Sequence, residues 1–369
     1  MAEPPLLLHV FPTFAPGGVP IRIANIVNGL GTAYRHHIVS LDGRHGAAER
    51  IDPSLDVACG GPSAAGSLPR RVLANRRALA SHAPHALMTY NWGSIEWAMA
   101  NRLRPVCPHI HLESGFGPEE ADGQLPRRVW ARRLSLGHIN ALVVPSSTLV
   151  DIARRHWRVP DRLIHLIPNG VDLALFGQPP DPSLVPGFER ADGEVVIGTV
   201  APLRREKNLG RLVRGFARLA ERVPARLIIV GDGAERPGLE ALARDLALDG
   251  RVHFAGYQSQ PEKLFGLFDI YALSSDTEQM PNTVVQAMAA GLPVAATDVG
   301  DVRNMVAEAN RPFVVPKTDE GAFAAGLADL AGDGDRRRAI GRDNLARARQ
   351  RYRQEDMVAA YARLLKGLG

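Results

Sequence analysis

The sequence contains few cysteines, and this scarcity excludes two kinds of protein. Only Cys59 and Cys107 are present, and neither belongs to a Cys-x-x-Cys pair or lies at a zinc-ligand spacing from histidine. A disulfide framework and a zinc site are therefore not expected. We interpret both cysteines as buried thiols in a protein of the reducing cytoplasm.

Long apolar runs and a large charge excess are also missing. No apolar stretch is long enough to span a bilayer, and the short run at residues 6–10 predicts a first strand and not a signal peptide. The formal charge is only +5, from 44 basic and 39 acidic residues. Because no helix-turn-helix, RRM or zinc-finger pattern accompanies it, this charge does not indicate nucleic-acid binding.

Short β-rich runs alternate with amphipathic helical stretches along all 369 residues. This alternation predicts parallel sheets covered by helices on both faces, and the length suits two doubly wound domains. Strands are predicted at 6–10, 37–41, 86–90, 106–111, 141–145 and 163–167, and then at 195–200, 226–230, 252–255, 270–273, 294–296 and 313–315.

A stretch at 177–192, rich in proline, glycine and charge, is predicted to link the two halves. It gives a first domain at 1–178 and a second at 179–353. A last helix at 354–368 is a candidate to pack back on the first domain. In such sheets ligands bind beyond the carboxyl ends of the strands.

Glycines and basic residues follow several of the predicted strands. Gly17 and Gly18 follow the first strand and precede a helix at 20–30, where glycines allow unusual backbone angles and a helix start favours anions. Arg204 and Lys207 follow the first strand of the second half and suit a diphosphate, and Gly231 follows the next strand. Ordinary turns and a solvated charged loop explain these features equally well.

The segment 278–291 follows another strand. Pro281 interrupts it, Asn282 is predicted as a helix cap, and a helix is predicted at 283–290. A diphosphate there would meet the backbone N–H groups of Asn282, Thr283 and Val284, with Glu278 before the helix and Gln286 about one turn inside it. An ordinary capped helix is the alternative interpretation.

Taken in order, these pieces resemble the retaining glycosyltransferase family 4, which has the GT-B fold. The resemblance rests on Gly17-Gly18, on Pro168–Asp172 (PNGVD), on Lys207-Asn208 and on the run from Glu278 to Val294, which nearly matches the family's E-x7-E and EAMA-G-PV patterns. It covers nearly the whole chain and is densest at 197–306.

The resemblance implies a nucleotide-sugar donor on the second domain, an acceptor on the first, retention of anomeric configuration, and no cofactor or required metal. Glu278 would contact sugar hydroxyls, and Lys207 would stabilise the leaving diphosphate. The implied catalytic residues also include His111. The other implied donor-binding residues are Gly17, Gly18, Arg204, Gly231, Pro281, Asn282, Thr283 and Gln286. The DxD-like Asp333–Asp335 is interpreted as surface.

Three positions depart from the family pattern. Gln286 replaces the second glutamate of E-x7-E, Pro202 replaces an arginine, and Ser114 replaces a histidine, with His111 nearby. They leave open a catalytically silent sugar-nucleotide-binding protein and, as a weaker alternative, a GT-B sugar-nucleotide epimerase. The residues do not choose between UDP and GDP, nor do they identify the sugar or the acceptor.

A basic helix is predicted at 124–136. Its arginines form adjacent rows and suit an anionic membrane surface, with a solvated helix face as the alternative. The four residues are Arg127, Arg128, Arg132 and Arg133. The family context favours peripheral binding at the inner face of the membrane and a saccharide or lipid-linked acceptor of cell-surface glycan assembly.

Overall fold

The computed structural model describes residues 3–61, 65–103, 105–120 and 123–368. The chain divides into two compact units. Met1–Asn169 and Glu355–Gly369 form the first unit, and Gly170–Gln354 form the second. The predicted boundary at residue 178 lies beyond the observed one at Asn169.

The first unit is built on a seven-stranded parallel sheet with the order β3-β2-β1-β4-β5-β6-β7. β1, β4, β5 and β6 are almost completely buried because helices cover both faces. The strands are β1 (Leu6–Phe11), β2 (Arg35–Ser40), β3 (Val57–Cys59), β4 (Ala86–Tyr90), β5 (His109–Leu112), β6 (Ala141–Val144) and β7 (Ile164–Leu166).

The largest departures from the prediction are at β3 and β5, and the ends of the other strands lie within two residues of the prediction. β3 was not predicted, because this edge strand is only three residues long and two of its positions are exposed. Cys59 lies in it and is exposed, so the interpretation of two buried thiols is wrong for this residue, and Cys107 is half-buried. β5 begins at His109, three residues after its predicted start at residue 106.

In the described residues before Asn169, five α-helices alternate with the strands of the first unit. The first helix packs on one face of the sheet with β1 and β4, and the third and fourth contribute to the opposite face. The helices are α1 (Gly18–Leu30), α2 (Leu68–His82), α3 (Ile95–Leu103), α4 (Pro126–Leu136) and α5 (Ser147–Ile152), which continues into a π-helical turn, Ala153–Trp157.

The second unit is built on a six-stranded parallel sheet with the order β10-β9-β8-β11-β12-β13. Every predicted strand of this half is present, with its ends within one residue of the prediction. The strands are β8 (Val195–Val200), β9 (Ala225–Val230), β10 (Val252–Gly256), β11 (Ile270–Leu273), β12 (Val294–Thr297) and β13 (Val314–Val315).

Seven helices accompany this sheet, and two large apolar cores form on its faces. The helices are α6 (Leu209–Ala220), α7 (Arg236–Asp245), α8 (Glu262–Phe265), α9 (Asn282–Ala289), α10 (Val302–Met305), α11 (Glu320–Gly332) and α12 (Gly334–Arg351). Asp333 caps α12 and Asp335 is exposed in its first turn, as expected for a surface position.

The chain returns to the first unit through α13 (Gln354–Lys366). Met357, Tyr361 and Leu365 of this helix are buried in the core beneath β1 and β4. Gly170 lies against the returning chain, where an added Cβ atom would meet the Arg353 carbonyl oxygen at 2.5 Å. The next residue, Val171, exchanges backbone hydrogen bonds with Tyr352 and Gln354. Only glycine fits this close approach.

Buried histidines line the interior of the first sheet. His9 on β1 contacts Tyr90 Oη at 2.7 Å through Nδ1 and His36 Nδ1 at 3.0 Å through Nε2. Burial lowers the pKa of His9 well below its ordinary value, lowers that of His36 to about 4 and lowers that of His109 to about 3. These side chains therefore stay neutral in the folded protein at pH values where an unfolded chain would bind protons.

Acid should destabilise the fold through these histidines. An unfolded histidine takes up its proton near pH 6.5, whereas folded His109 does so only near pH 3, so stability falls as the pH drops between those values. Each such histidine costs up to about 2 kcal/mol between pH 7 and pH 5. In thermal unfolding, H109Q should lose less Tm on acidification than the wild type, and H138Q, at an exposed position, should match the wild type. Parallel Tm curves for H109Q and the wild type would contradict this assignment.

Candidate active site

In the second sheet the order in which the strands are added reverses between β8 and β11. These strands are neighbours although they are distant in the chain, and the connections leave them towards opposite sides. Such a switch point opens a crevice at the carboxyl ends of the two strands, where ligands bind. Residues 201–208 follow β8 and residues 274–281 follow β11, so both loops emerge at this crevice.

Lys207 and Glu278 meet at the switch point. Lys207 Nζ donates to Glu278 Oε1 at 2.6 Å, and the Ser275 hydroxyl donates to the same oxygen at 2.8 Å. The two charged side chains retain 19% and 13% of their exposure. The pair is thus held in place and still open to solvent, which an arriving ligand requires.

Backbone contacts fasten the two loops to each other. Asp276 N–H donates to the Glu206 carbonyl at 2.9 Å, and the Ser274 hydroxyl donates to the Lys207 carbonyl at 3.0 Å. Thr297, at the end of β12, donates to the Ser275 carbonyl at 2.6 Å. The separation of Lys207 and Glu278 is therefore set by strand pairing and by these bonds, and not only by their own attraction.

Asn208 and Arg211 of the second unit also hold the two loops in place, and this role was not predicted. Asn208 adopts a left-handed φ of 43°, caps α6 and donates to both oxygens of Asp276 at 3.0 and 3.1 Å. Arg211 donates to Asp276 Oδ1 at 2.9 Å and to the Ser274 carbonyl at 2.7 Å. In the sequence, nothing distinguishes Arg211 from the other arginines of the same helix. Only its burial beside Asp276 in the structure shows that it supports the loop.

The start of α9 differs from the prediction. Pro281 occupies the cap position and Asn282 is the first helical residue, so the prediction of Asn282 as the cap is wrong. Val284 N–H donates to the Pro281 carbonyl at 3.1 Å and is not available for a ligand. Thr283 and Gln286 are half-buried on the first two turns. Their contact with a donor stays a prediction.

Gly300 fixes the loop that carries Glu278. It has a φ of 53°, and a Cβ atom there would lie 2.5 Å from the carbonyl oxygens of both Glu278 and Gln279. Asp301 N–H then donates to the Gln279 carbonyl at 2.9 Å. The backbone around Glu278 is therefore fixed both by close packing against Gly300 and by the hydrogen bond from Asp301.

Gly231 and Arg204 lie beside this centre. Gly231 has a φ of 132°, and a Cβ atom there would lie 1.9 Å from the Ala201 carbonyl oxygen, so this glycine is required by loop packing. Arg204 is exposed and lines a cleft of about 490 Å³ between α6 and α7, together with Asn208 and Asp276. Donor contacts by Arg204 and by the Gly231 backbone stay predictions.

The first sheet has its own switch point, between β1 and β4. α1 begins there at Gly18, with Gly17 as its cap. Gly17 has a φ of 179°, which is extended backbone open to any residue, and the nearest atom to an added Cβ is 3.8 Å away. The expectation of unusual backbone angles is therefore wrong for Gly17, and a role for this loop rests on its position.

His111 does not line an open site. It is fully buried in β5, its Nδ1 contacts the Thr89 hydroxyl at 2.7 Å, and its Nε2 is 3.8 Å from Glu113 Oε2. Because this burial leaves no ring atom open to a substrate, the structure does not support a catalytic contact by His111. Ser114, just beyond β5, is held at the sheet edge by Arg22 Nη2 at 2.7 Å, and Arg22 also donates to Asn169 Oδ1.

The arginines of α4 do not form one exposed surface. Arg132 is fully buried and Arg128 nearly so, because both bind the carboxylate of Glu120. The prediction that all four arginines contact a membrane is therefore wrong for these two. The outer face instead presents Trp130 and Leu134, exposed by 68% and 59%.

Two family models match the chain. One is described as glycosyl transferases group 1 and matches residues 185–347, and the other is described as glycosyltransferase family 4 and matches residues 16–175. The chain belongs to this family of glycosyltransferases. Lys207, Glu278 and Gln286 lie within the first matched range, and Gly17 and Gly18 lie within the second.

The chain also resembles individual proteins. It is 30% identical over 269 residues to a D-inositol 3-phosphate glycosyltransferase of Corynebacterium urealyticum, covering 67% of this chain and 60% of that one. For several other curated relatives the matched part spans about half of their length. Their activities and substrates are therefore not transferred to the glycosyltransferase by similarity alone.

Solved structures confirm the predicted fold class. A sucrose-phosphate synthase from Thermosynechococcus elongatus superposes with a TM-score of 0.80 at 20% identity, covering 99% of each chain. The Anabaena protein HepE in complex with UDP gives 0.79 at 19% identity, covering 99% of this chain and 100% of that one. The chain thus has the GT-B fold of two Rossmann-like units.

Substituting Gly231 should lower the free energy of unfolding, because the loop that contains it has no space for a side chain. G231A places a methyl group against the Ala201 carbonyl in a backbone region that alanine rarely adopts, at a cost of about 2 kcal/mol or more. Chemical unfolding of G231A and G238A measures the effect, because Gly238 lies in α7 with no atom within 4 Å of an added Cβ. Equal stabilities of the two variants would show that the loop relaxes without cost.

Proposed function

We propose that this glycosyltransferase moves a sugar, with retention of configuration, from a UDP- or GDP-sugar to a saccharide or lipid-linked acceptor in cell-surface glycan or glycolipid assembly. The observation that carries the proposal is the Lys207–Glu278 pair, held 2.6 Å apart at the switch point of the second sheet. A cation and a carboxylate side by side suit the two ends of a donor, the diphosphate and the sugar.

Binding of the donor would break the ion pair between Lys207 and Glu278. Lys207 would turn to the diphosphate, whose negative charge grows as its bond to the sugar breaks, and a fixed ammonium stabilises charge that develops in the transition state. Glu278 would then accept hydrogen bonds from sugar hydroxyls while the Ser275 hydroxyl, 2.8 Å from Oε1, keeps the carboxylate oriented. Lys207 would thus exchange one anion for another, and the carboxylate of Glu278 would exchange the ammonium for hydroxyl hydrogen-bond donors.

Gln286 is the proposed contact to the ribose. It is half-buried on the second turn of α9. A glutamate at this position accepts hydrogen bonds from two hydroxyls, whereas the amide accepts one and donates one. Ribose hydroxyls satisfy either pattern, so the substitution alters the strength of donor binding without excluding it. The UDP complex of the structural neighbour HepE supports a uridine nucleotide as one candidate.

Retention would follow from attack on the face of the departing diphosphate. The acceptor oxygen bonds to the anomeric carbon, the bond from that carbon to the diphosphate oxygen breaks, and the acceptor proton passes to a donor phosphate oxygen. This route needs no protein base and therefore does not depend on the buried His111. It also needs no metal to balance the diphosphate if Lys207 does so.

Replacing Glu278 tests both donor binding and turnover. E278Q should lower release of nucleotide from the UDP- or GDP-sugar used by the wild type by about 100-fold, because a neutral amide accepts fewer and weaker hydrogen bonds from the sugar hydroxyls than a carboxylate does. UDP or GDP should still raise the Tm of the variant, since ligand at 100 times Kd stabilises a protein by about 2.7 kcal/mol. E240Q, which removes only an exposed partner of Arg236, is the matched control.

The departure at Gln286 motivates the alternative of a catalytically silent nucleotide-sugar binder. The same experiment separates the two functions. Stabilisation of the wild type by UDP or GDP without any sugar release or transfer would favour the silent protein. Absence of both stabilisation and turnover across UDP- and GDP-sugars would overturn the proposed function. Interconversion of two UDP-sugars without an acceptor would indicate an epimerase.

A lipid-linked acceptor would bring the glycosyltransferase to a membrane, and the outer face of α4 is the surface proposed for that contact. Trp130 and Leu134 lie one turn apart and are largely exposed, and Arg133 stacks on the Trp130 ring at 5.2 Å. Arg127 is exposed on the same helix. Tryptophan beside arginine suits the interface of an anionic bilayer, where each basic residue contributes about 1 kcal/mol. No helix in the described parts of the chain is long and apolar enough to cross a membrane.

Vesicle co-sedimentation tests this surface. The wild type should bind vesicles of phosphatidylglycerol and phosphatidylcholine more strongly than neutral phosphatidylcholine vesicles, and the double variant W130A/L134A should lose at least about tenfold in partitioning because two interfacial side chains are removed. L246A, at an exposed leucine of the second unit, should bind like the wild type. Equal partitioning of W130A/L134A and the wild type would exclude the outer face of α4.

A further inference from the structure

The loop that follows β5 is held at both ends by one buried arginine. Arg132 Nε donates to Glu113 Oε2 at 3.2 Å, where the loop begins. Its two terminal nitrogens donate to the two oxygens of Glu120, at 3.1 and 3.3 Å, where the loop ends. All three nitrogens of the guanidinium are thus engaged by a single loop, and all three side chains are fully buried.

Aromatic rings enclose the same guanidinium. Its carbon lies 5.2 Å from the Trp92 ring, 5.3 Å from the Phe116 ring and 5.0 Å from the Trp157 ring. Trp92 follows β4 and Phe116 is in the middle of the loop, so Arg132 also joins the loops of two neighbouring strands. Stacking on these rings fixes the plane of the guanidinium, and therefore the directions in which it can donate.

The loop between the two glutamates lies at the carboxyl end of β5, close to the switch point of the first sheet. Ser114 is its first residue; its hydroxyl accepts from Arg22 at 2.7 Å and its N–H donates to Asn91 Oδ1 at 2.8 Å. Gly115 has a φ of 157°. Ser114, Gly115 and Gly117 are half-buried, so the loop is partly open to solvent at the edge where doubly wound sheets bind ligands.

We propose that Arg132 is a positioning residue for acceptor binding, and that residues 114–117, which it holds, contact the sugar acceptor. This inference rests on the proposed function, because it assigns the acceptor side of the same reaction. Arg132 itself is sealed from solvent and acts through Glu113, Glu120 and Phe116. Stability alone does not account for it, since a buried ion pair is often no more stabilising than apolar side chains of similar volume.

Arg132→Lys is the test, because lysine keeps the positive charge but cannot donate to both carboxylates as a planar fork. With n-octyl glycosides as acceptor probes, R132K should raise the acceptor KM about tenfold or more, while donor hydrolysis and UDP or GDP binding change by less than about twofold. Hydrogen exchange of a peptide spanning 113–120 should be faster in R132K. R154K, in a half-exposed pair with Asp161 at 2.7 Å, is the matched control and should leave all these values unchanged.

An unchanged acceptor KM in R132K would overturn the inference, as would an equal fall in hydrolysis and transfer, which indicates general damage. If R132K does not fold, F116L removes one ring and keeps every charge, and it should produce the same rise in acceptor KM. Failure of the proposed function is distinct: the wild type then turns over no UDP- or GDP-sugar. Hydrogen exchange still tests the contact in that case, and an unchanged rate in R132K overturns it.

Discussion

The pairing of β8 with β11 is the constraint on which the candidate site depends. It brings together Lys207 and Glu278, which are 71 positions apart in the chain. Parallel pairing places the carboxyl ends of both strands at the same edge, and the reversal of strand order leaves a crevice there. Short loops then suffice to bring the two side chains together. Hydrogen bonds from Ser274 and Thr297 to the loop backbones restrict the conformations of these loops.

Much of this arrangement could be predicted because strands buried on both faces appear as continuous apolar runs. The strands of the second unit, and Lys207 and Glu278 just beyond two of them, follow from that signal together with the family resemblance. β3 could not be predicted, since three residues at a mostly exposed edge are too few to form a recognisable apolar run. His111 was misjudged because a histidine in a buried strand and one at a site look alike until Thr89 and the core around it are placed.

Arg132 shows why charge patterns on helices are ambiguous. In the sequence, four arginines of α4 form adjacent rows, and nothing local separates the two that face inwards from those that face outwards. The difference comes from Glu113 and Glu120, which lie 19 and 12 positions away and reach the helix only after β5 and its loop are placed. Glycines are ambiguous in the same way: Gly231 is required by a carbonyl oxygen 1.9 Å from its added Cβ, whereas Gly17 has extended backbone and open space.

The buried charges of α4 also explain why one helix can present such different faces. Two carboxylates without guanidinium partners would be very costly in a dry interior, so Glu113 and Glu120 could not remain buried if Arg132 and Arg128 turned outwards. That cost fixes the rotation of α4 about its axis. Once the rotation is fixed, Trp130 and Leu134 lie on the outer face. The same ion pairs therefore determine the position of the exposed aromatic surface and the conformation of the loop after β5. A substitution at Arg132 is expected to alter both.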